Sequence, residues 1–469
     1  MTEAHLLKQA LRSVVSGQAK ANACAYRPGW HLAPPVGLLN DPNGFVQHNG
    51  RYHLFYQWNP LACAHGAKFW GHWSSLDLVN WRHEPLALAP SEEYESHGCY
   101  SGSAVVDKQH LTLIYTGNVK YANGSRTAFQ CLARENADGE FDKIGPVLNL
   151  PLGYTGHVRD PKVWQHDGQW FMVLGAQSLD LQGKILLLQS PDLLTWQSLG
   201  EIAGSGLNGL GEFGYMWECP DLFRLAENDV LICCPQGLTA EPHRYLNTFQ
   251  SGYFVGELDY QRGEFPHGEF NELDLGFEFY APQTTLSEDG RRLMIGWMGI
   301  PDGDEFYQPT VEQGWIHTLT CVRELTLRAG KVIQRPAREL QRLRGEKQTW
   351  SGTAQQAPHW DITHAEVEID TDQPFSAQFG EALALVWDGE WLTLTRINRR
   401  TNQPETRFWH GALRQLTVLC DSSSIEIFIN QGEAVMSSRY FPTLPARLTL
   451  AGSEQIALSY WPLANCMIE

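Results

Sequence analysis

Long apolar runs and positive charge are both scarce in this sequence. None of its 469 residues lies in a run of 18 consecutive apolar residues, so the sequence predicts no membrane-spanning helix. Lys and Arg together number 35 against 53 Asp and Glu, which gives a formal net charge of −18. A surface of this sign disfavours nucleic acid and anionic membranes as partners. An anionic small molecule could still bind, but it would need a local basic pocket.

Motifs for metals and for secretion are also missing. The ten cysteines include no Cys-x-x-Cys pair, and no histidines cluster at metal-ligand spacing, so we expect neither a metal nor another cofactor. Glu3, Lys8 and Arg12 interrupt apolar positions that recur at helical spacing. We therefore expect a helical segment over residues 1–25 rather than a secretory signal. This favours a cytoplasmic protein whose cysteines are free thiols.

A short apolar strand recurs five times along the chain. The sequence contains 43% hydrophobic residues, 43 Gly and 25 Pro, a balance that favours many short strands. The recurring strands lie at residues 53–56, 112–115, 171–174, 231–234 and 293–296, and their ends are 59, 59, 60 and 62 residues apart. This regular spacing predicts a five-bladed β-propeller over residues 26–330. A β-sandwich would require the spacing to be accidental.

The pattern changes after the fifth repeat. Residues 331–349 are basic and helix-like, with Pro336 as a candidate first helical residue, so we expect a linker there. Alternation of apolar and polar residues follows at 391–395 and 425–429. It predicts an antiparallel β-sandwich over residues 350–469. The predicted fold class is therefore all-β, a propeller followed by a sandwich.

Three acidic residues stand at matching points of the repeat. Asp41, Asp160 and Glu218 each precede a repeat strand, in the first, third and fourth units. Each lies beside or just before a proline, which restricts the backbone and can hold a carboxylate in one direction. Because the strand that opens a propeller blade lines the central channel, we expect the three carboxylates to converge in one funnel. Each motif taken alone could be an ordinary turn.

Converging carboxylates suit one class of chemistry. Like charges raise one another's pKa values, so their convergence is costly unless it serves a reaction. Two carboxylates flanking a glycosidic bond can act as nucleophile and proton donor. Aromatic and amide side chains near the motifs suit a sugar, although we expect Trp81 and Trp196 to pack between strands.

The acidic motifs resemble those of a known family. The Asn-Asp-Pro-Asn-Gly stretch at 40–44 resembles the sucrose-binding box of glycoside hydrolase family 32, the invertases and fructan hydrolases. Arg-Asp-Pro at 159–161, Glu-Cys-Pro at 218–220 and Phe-Tyr-Ala-Pro-Gln at 279–283 resemble further signatures in the same order. The resemblance implies a five-bladed propeller, a β-sandwich and a double displacement with retention. It implies Asp41 as nucleophile, Glu218 as general acid/base and Asp160 as transition-state stabiliser.

The resemblance also implies a substrate. Residues 153–160 are most similar to the bacterial subgroup that acts on sucrose 6-phosphate, which implies that sugar, and sucrose, as the small-molecule partners. The alternatives are a plain invertase, an exo-acting fructan hydrolase, an arabinan-cutting propeller and a non-catalytic carbohydrate-binding propeller. Expected substrate-binding residues are Leu38, Leu39, Asn40, Gln57, Trp70, Tyr100, Ser101, Arg159 and Tyr280. Candidate phosphate-binding residues, on loops near the expected funnel, are His65, Lys68, Lys120, Arg126 and His157.

Overall fold

The protein is built almost entirely from β-strands. The computed structural model describes residues 2–301, 303–452 and 454–466, and within these ranges α1, Glu3–Asn22, is the one α-helix. The 3₁₀ turns are Glu93–Glu95, Glu305–Tyr307, Val311–Gln313, Arg338–Leu343 and Ala354–Gln356. The prediction of an all-β chain is thereby confirmed. No helix of the described residues is long and apolar enough to cross a membrane.

The N-terminal two thirds of the described chain form five sheets. The first sheet contains β1 Gly37–His48, β2 Arg51–Asn59, β3 Phe69–Ser75 and β4 Arg82–Leu88. The second contains β5 Cys99–Asp107, β6 His110–Lys120, β7 Arg126–Glu135 and β8 Phe141–Leu148. The third contains β9 Tyr154–His166, β10 Gln169–Ser178, β11 Gly183–Ser190 and β12 Gln197–Gly204. The fourth contains β13 Met216–Leu225, β14 Asn228–Gln236, β15 Gly252–Gly256 and β16 Asn271–Glu272.

The fifth sheet is tied back to the first. Its region of the chain contains β17 Tyr280–Leu286, β18 Arg292–Met298, β19 Trp315–Ile316, β20 Thr318–Leu319, β21 Arg323–Arg328 and β22 Lys331–Pro336. Strand β20 pairs with β18 in the fifth sheet, whereas the neighbouring β19 pairs in parallel with β1. The chain therefore links its last N-terminal sheet to its first by backbone hydrogen bonds.

The opening strands of the five sheets contact one another in a ring. Strand β1 contacts β5, β5 contacts β9, β9 contacts β13, β13 contacts β17, and β17 contacts β1. The five recurring apolar segments lie in the second strands, β2, β6, β10, β14 and β18, which are largely buried. Each repeat unit of the sequence thus corresponds to one sheet, and each expected catalytic acid lies on an opening strand.

The segment expected to be a linker begins inside the fifth sheet. Residues 331–336 form β22, which pairs with β21, and Pro336 ends this strand instead of starting a helix. The 3₁₀ turn Arg338–Leu343 follows it. Strand β22 lies at the edge of its sheet, where a proline is tolerated because the sheet does not need its N–H.

Two further sheets make up the C-terminal part. Their strands are β23 Gln348–Thr353, β24 Ala365–Asp370, β25 Phe375–Phe379, β26 Leu383–Trp387, β27 Trp391–Ile397, β28 Pro404–His410, β29 Gln415–Asp421, β30 Ser424–Ile429, β31 Ala434–Arg439, β32 Leu448–Ala451 and β33 Gln455–Pro462. One sheet has the order β23-β33-β24-β29-β30-β31, and the other has the order β28-β27-β26-β25-β32. Apolar side chains from both sheets, such as Ile369, Leu394 and Ile427, share one core.

A buried polar network joins the two parts of the chain. His31 contacts Asp421 through Nδ1 and Glu426 through Nε2, both at 2.9 Å. Arg323 donates to Glu426 Oε2 at 2.7 Å and to Asp274 Oδ2 at 3.2 Å. These five side chains have no solvent-exposed surface, so the network fixes the C-terminal sheets against the N-terminal ones.

Candidate active site

Each of the three expected catalytic acids lies where the pairing of its strand is irregular. Register shifts interrupt the pairing of β1 with β2 beside Asp41, of β9 with β10 beside Asp160, and of β13 with β14 beside Glu218. Asp160 has a φ of 66°, a left-handed conformation that is rare for a residue other than glycine. Prolines in these stretches cannot donate to the sheet, and a bulge re-aims the neighbouring side chains. The motifs therefore turn the acids out of the regular pleat.

Asp41 is held by two polar neighbours. Ser101 Oγ donates to Asp41 Oδ2 at 2.6 Å, and Asn40 Nδ2 donates to Oδ1 at 3.1 Å. Burial and the nearby Glu218 raise the pKa of Asp41, while the hydrogen bonds from Ser101 and Asn40 oppose that rise. The carboxylate is thus fixed in direction and keeps a more basic character than an exposed aspartate.

Asp160 adjoins Asp41 through a shared neighbour. The backbone N–H of Cys219 donates to Asp160 Oδ2 at 2.9 Å. The Cys219 thiol lies 3.5 Å from that oxygen and 3.7 Å from Asp41 Oδ2. Burial raises the pKa of Asp160, and the charges of Glu218 and Asp41 add to the rise although Arg159 opposes it. The charges of Glu218 and Asp41 therefore act on Asp160, and the charge of Glu218 acts on Asp41.

Glu218 is oriented by three side chains. Arg159 donates to Glu218 Oε1 from Nε at 2.9 Å and from Nη2 at 2.6 Å. Gln236 Nε2 and the Tyr280 hydroxyl each donate to Oε2 at 2.7 Å. Four donors thus fix both oxygens of this carboxylate.

The expected substrate-binding residues fall into two groups. Asn40, Ser101, Arg159 and Tyr280 contact one of the acids directly, and Tyr100 is half-buried next to Ser101. The other group is buried behind them: Leu38, Leu39, Gln57 and Trp70. Gln57 donates to the Cys99 carbonyl, and the Trp70 indole donates to the Tyr100 carbonyl. The side chains of Gln57 and Trp70 therefore support the strand that carries Ser101.

The phosphate candidates divide between two places. His65 and Lys68 lie on the Asp41 side, where Lys68 Nζ donates to Asn40 Oδ1 at 2.9 Å and contacts His65 Nδ1 at 3.0 Å. Arg126 and His157 lie on the Glu218 side, joined by an Nη1 to Nδ1 contact of 3.2 Å. Lys120 is exposed and pairs in register with Arg126.

Sequence reasoning missed Gln236 and the bridging position of Cys219. Gln236 reaches Glu218 because β14 runs antiparallel to β13, with Gln236 opposite Met216. A signal for it was present, since an amide follows each of the first four repeat strands: Gln57, Asn118, Gln177 and Gln236. Among the described residues, no group of three His, Cys, Asp or Glu is arranged to hold a metal ion.

The arrangement defines a class of enzyme. Three carboxylates lie on the opening strands β1, β9 and β13, two of them beside the Cys219 thiol and the third held by four donors. Carboxylates gathered in this way suit glycosidic bond cleavage by a nucleophile and a proton donor. Such an arrangement is typical of a glycoside hydrolase.

Comparison with known proteins places the chain within that class. The glycosyl hydrolases family 32 N-terminal domain matches residues 31–336, and the family 32 C-terminal domain matches residues 403–461. The chain belongs to glycosyl hydrolases family 32. Sucrose-6-phosphate hydrolase of Salmonella typhimurium is 57% identical over 463 residues, and that of Bacillus subtilis is 45% identical over 471, each alignment covering 98% of both chains.

Solved structures agree with the family assignment. A Bombyx mori family 32 β-fructofuranosidase superposes with a TM-score of 0.90 at 33% identity and covers 100% of both chains. The sucrose-6-phosphate hydrolase of Lactobacillus gasseri superposes with a TM-score of 0.89 at 29% identity, covering 97% of this chain and 96% of its own.

Proposed function

We propose that this enzyme hydrolyses sucrose 6-phosphate to glucose 6-phosphate and fructose, with retention at the fructosyl anomeric carbon. The observation that carries the proposal is the junction of Asp41, Asp160 and Glu218 around Cys219 and Arg159. The names of the relatives at 57% and 45% identity support the substrate.

The proposed mechanism assigns one role to each acid. The ionised Asp41 attacks the anomeric carbon while Glu218 gives its proton to the departing glucosyl oxygen, which leaves a fructosyl ester on Asp41. Glu218 then takes a proton from water, the water attacks the same carbon, and Asp41 is released. Asp160 lies beside Asp41 and stabilises the positive charge that develops on the sugar ring.

The proposal extends to architecture and location. The five sheets form the blades of a propeller that begins near residue 26, and the two C-terminal sheets form a β-sandwich from about residue 350. The ring of contacts between opening strands is the observation in favour of five blades. Because β22 pairs with β21 in the fifth sheet, the propeller ends at Pro336 rather than at residue 330. A cytoplasmic location suits a phosphorylated sugar, which does not cross a bilayer unaided.

The proposal is tested by comparing two substrates on the wild-type enzyme and two variants. The wild-type enzyme should have a higher kcat/KM for sucrose 6-phosphate than for sucrose. Asp41→Asn should lower kcat on both by about 10⁴-fold or more, because the nucleophile is lost. Asp372→Asn, which changes an exposed carboxylate, is the matched control. Normal turnover by Asp41→Asn would contradict the assignment of Asp41 as the nucleophile.

Hydrolysis of unphosphorylated sucrose is the second candidate. It is favoured by the Bombyx mori relative at 33% identity, a variant of which was solved in complex with sucrose. In that case the kcat/KM values for the two sugars would be equal, because contacts to the phosphate would contribute nothing to binding or catalysis.

A further inference from the structure

Basic groups gather at one end of the hairpin that β6 and β7 form. Lys120 ends β6 and Arg126 begins β7, and the two residues are paired across the strands. Arg126 Nη1 contacts His157 Nδ1 at 3.2 Å, and Arg159 Nη1 contacts the same nitrogen at 2.8 Å. On a protein of net charge −18, three cationic side chains around one imidazole are an unusual concentration of positive charge.

This basic cluster, Lys120, Arg126 and His157, is only partly neutralised. Arg159 is paired with Glu218, but no carboxylate of the described residues forms an ion pair with Arg126 or Lys120. Arg126 Nε is buried and has no hydrogen-bond partner within the described ranges. Burial and the charges of Arg159, Arg126 and Lys120 lower the pKa of His157 to about 3. His157 is therefore neutral near pH 7, and because Nδ1 accepts from the arginines, its ring proton lies on Nε2 as a further donor.

The sequence positions the cluster by a close backbone approach. A Cβ on Gly156 would lie 2.3 Å from the Arg126 carbonyl oxygen and 2.5 Å from Arg126 Cγ, so only glycine lets β9 pass this close to β7. The guanidinium of Arg126 also lies 5.9 Å from the ring centre of Tyr100, next to the Ser101 that holds Asp41. The cluster is thus fixed relative to the acids.

The cluster lies on the side of the leaving group. Glu218 protonates the glucosyl oxygen in the proposed mechanism, so the glucosyl ring must lie against Glu218. From Glu218 the contacts run outward through the buried Arg159 to His157 and Arg126 and end at the exposed Lys120. The sixth carbon of glucose is attached to C5, on the other side of the ring oxygen from the anomeric carbon, and a group on it would extend outward along this line of contacts.

We propose that Lys120, Arg126 and His157 bind the phosphate of the leaving glucosyl 6-phosphate, an inference that rests on the proposed function. The planar guanidinium of Arg126 provides the main contact, His157 Nε2–H a neutral donor, and Lys120 a mobile charge at the entrance. The other basic pair does not serve this purpose. His65 contacts the Glu305 carboxylate at 2.9 Å and Lys68 reaches Asn40 beside Asp41, so a phosphate there would face two carboxylates.

The test measures substrate preference, the ratio of kcat/KM for sucrose 6-phosphate to kcat/KM for sucrose. Arg126→Gln should lower this ratio about tenfold or more, because it removes charge-assisted hydrogen bonds to the phosphate. Lys120→Gln, which changes an exposed side chain, should lower it by a smaller factor. Arg134→Gln removes the same charge near the other end of β7, where Arg134 pairs with Asp107, and should leave the ratio unchanged.

A binding measurement separates this site from the proposed function. Glucose 6-phosphate should inhibit sucrose hydrolysis by the wild-type enzyme more strongly than glucose does, and Arg126→Gln should abolish the difference. If the wild-type enzyme prefers sucrose 6-phosphate but both variants retain that preference, the phosphate binds elsewhere and the proposed function stands. If the wild-type enzyme shows no preference, the phosphate site and the proposed substrate are both overturned.

Discussion

Ser101 controls the charge state of Asp41 more directly than any other residue. Its hydroxyl donates to the carboxylate at 2.6 Å and opposes the rise in the pKa of Asp41 that burial causes. A nucleophile must be ionised, so the acid limb of kcat/KM against pH reports the protonation of this site in the free enzyme.

Ser101→Ala should therefore move the acid limb to higher pH. A hydrogen bond to a charged group contributes about 1.5–3 kcal/mol, which corresponds to a shift of about one pH unit or more. Ser103→Ala, on the same strand, removes a hydroxyl that contacts the Pro161 carbonyl and not Asp41, and should leave the limb in place. An acid limb that moves downward or stays fixed in Ser101→Ala would contradict the role given to this hydrogen bond.

The positions of the three catalytic acids were predictable from the sequence, but the residues that contact them were predictable only in part. Asp41, Asp160 and Glu218 stand in register with the repeat, and that spacing was sufficient to expect their convergence. Gln236 and Cys219 depend on the cross-strand register and on the bulge beside Glu218. Local sequence does not determine where a bulge shifts the register, so these contacts required the structure.

At the scale of elements, strands β29 and β30 carry the carboxylates that hold the two parts of the protein together. Asp421, at the end of β29, accepts from the backbone N–H groups of Gly29, Trp30 and His31. Burial alone would raise the pKa of Asp421, but hydrogen bonds from His31 and His364 hold it far below its ordinary value. A depressed pKa means that the ionised carboxylate stabilises the fold above about pH 4, the pKa of an unfolded aspartate, and that this stabilisation is lost as the pH falls.

Asp421→Asn should lower the free energy of unfolding by about 3–5 kcal/mol near neutral pH, because it leaves the buried His31 and the neighbouring His364 without the carboxylate that they contact. The deficit, measured by denaturant titration, should narrow below about pH 4, where the wild-type carboxylate begins to lose its advantage. Asp372→Asn, on the C-terminal surface, should change the unfolding free energy by less than about 0.5 kcal/mol. Equal effects of the two substitutions would mean that the network does not stabilise the junction.

Element boundaries were less predictable than element types. The alternating segments of the C-terminal part were recognised as strands, and β27 and β30 contain two of them. The basic segment after residue 330 was misjudged, because β22 is an edge strand that lacks a clear apolar alternation and ends in a proline. Its pairing with β21 is a tertiary contact that overrides the helical appearance of the local sequence.

At the scale of the whole molecule, the ring of opening strands converts three distant sequence positions into one site. Asp41 and Glu218 are separated by 177 positions in the chain, yet Asp41 lies 3.7 Å from the thiol of Cys219, the residue that directly follows Glu218. The surrounding charge of −18 makes the basic cluster near Glu218 the natural entry for an anionic substrate. The fold and the charge distribution thus both support sucrose 6-phosphate as the substrate.

The stereochemistry of fructosyl transfer tests the central claim most directly. Hydrolysis of sucrose 6-phosphate in the presence of methanol allows the fructosyl group on Asp41 to transfer to methanol, which gives a glycoside that does not mutarotate. Proton and carbon NMR of the product should show methyl β-fructofuranoside, the retained configuration, because two successive inversions occur at the anomeric carbon. Formation of methyl α-fructofuranoside would show a single displacement and would contradict the assignment of Asp41 as a covalent nucleophile.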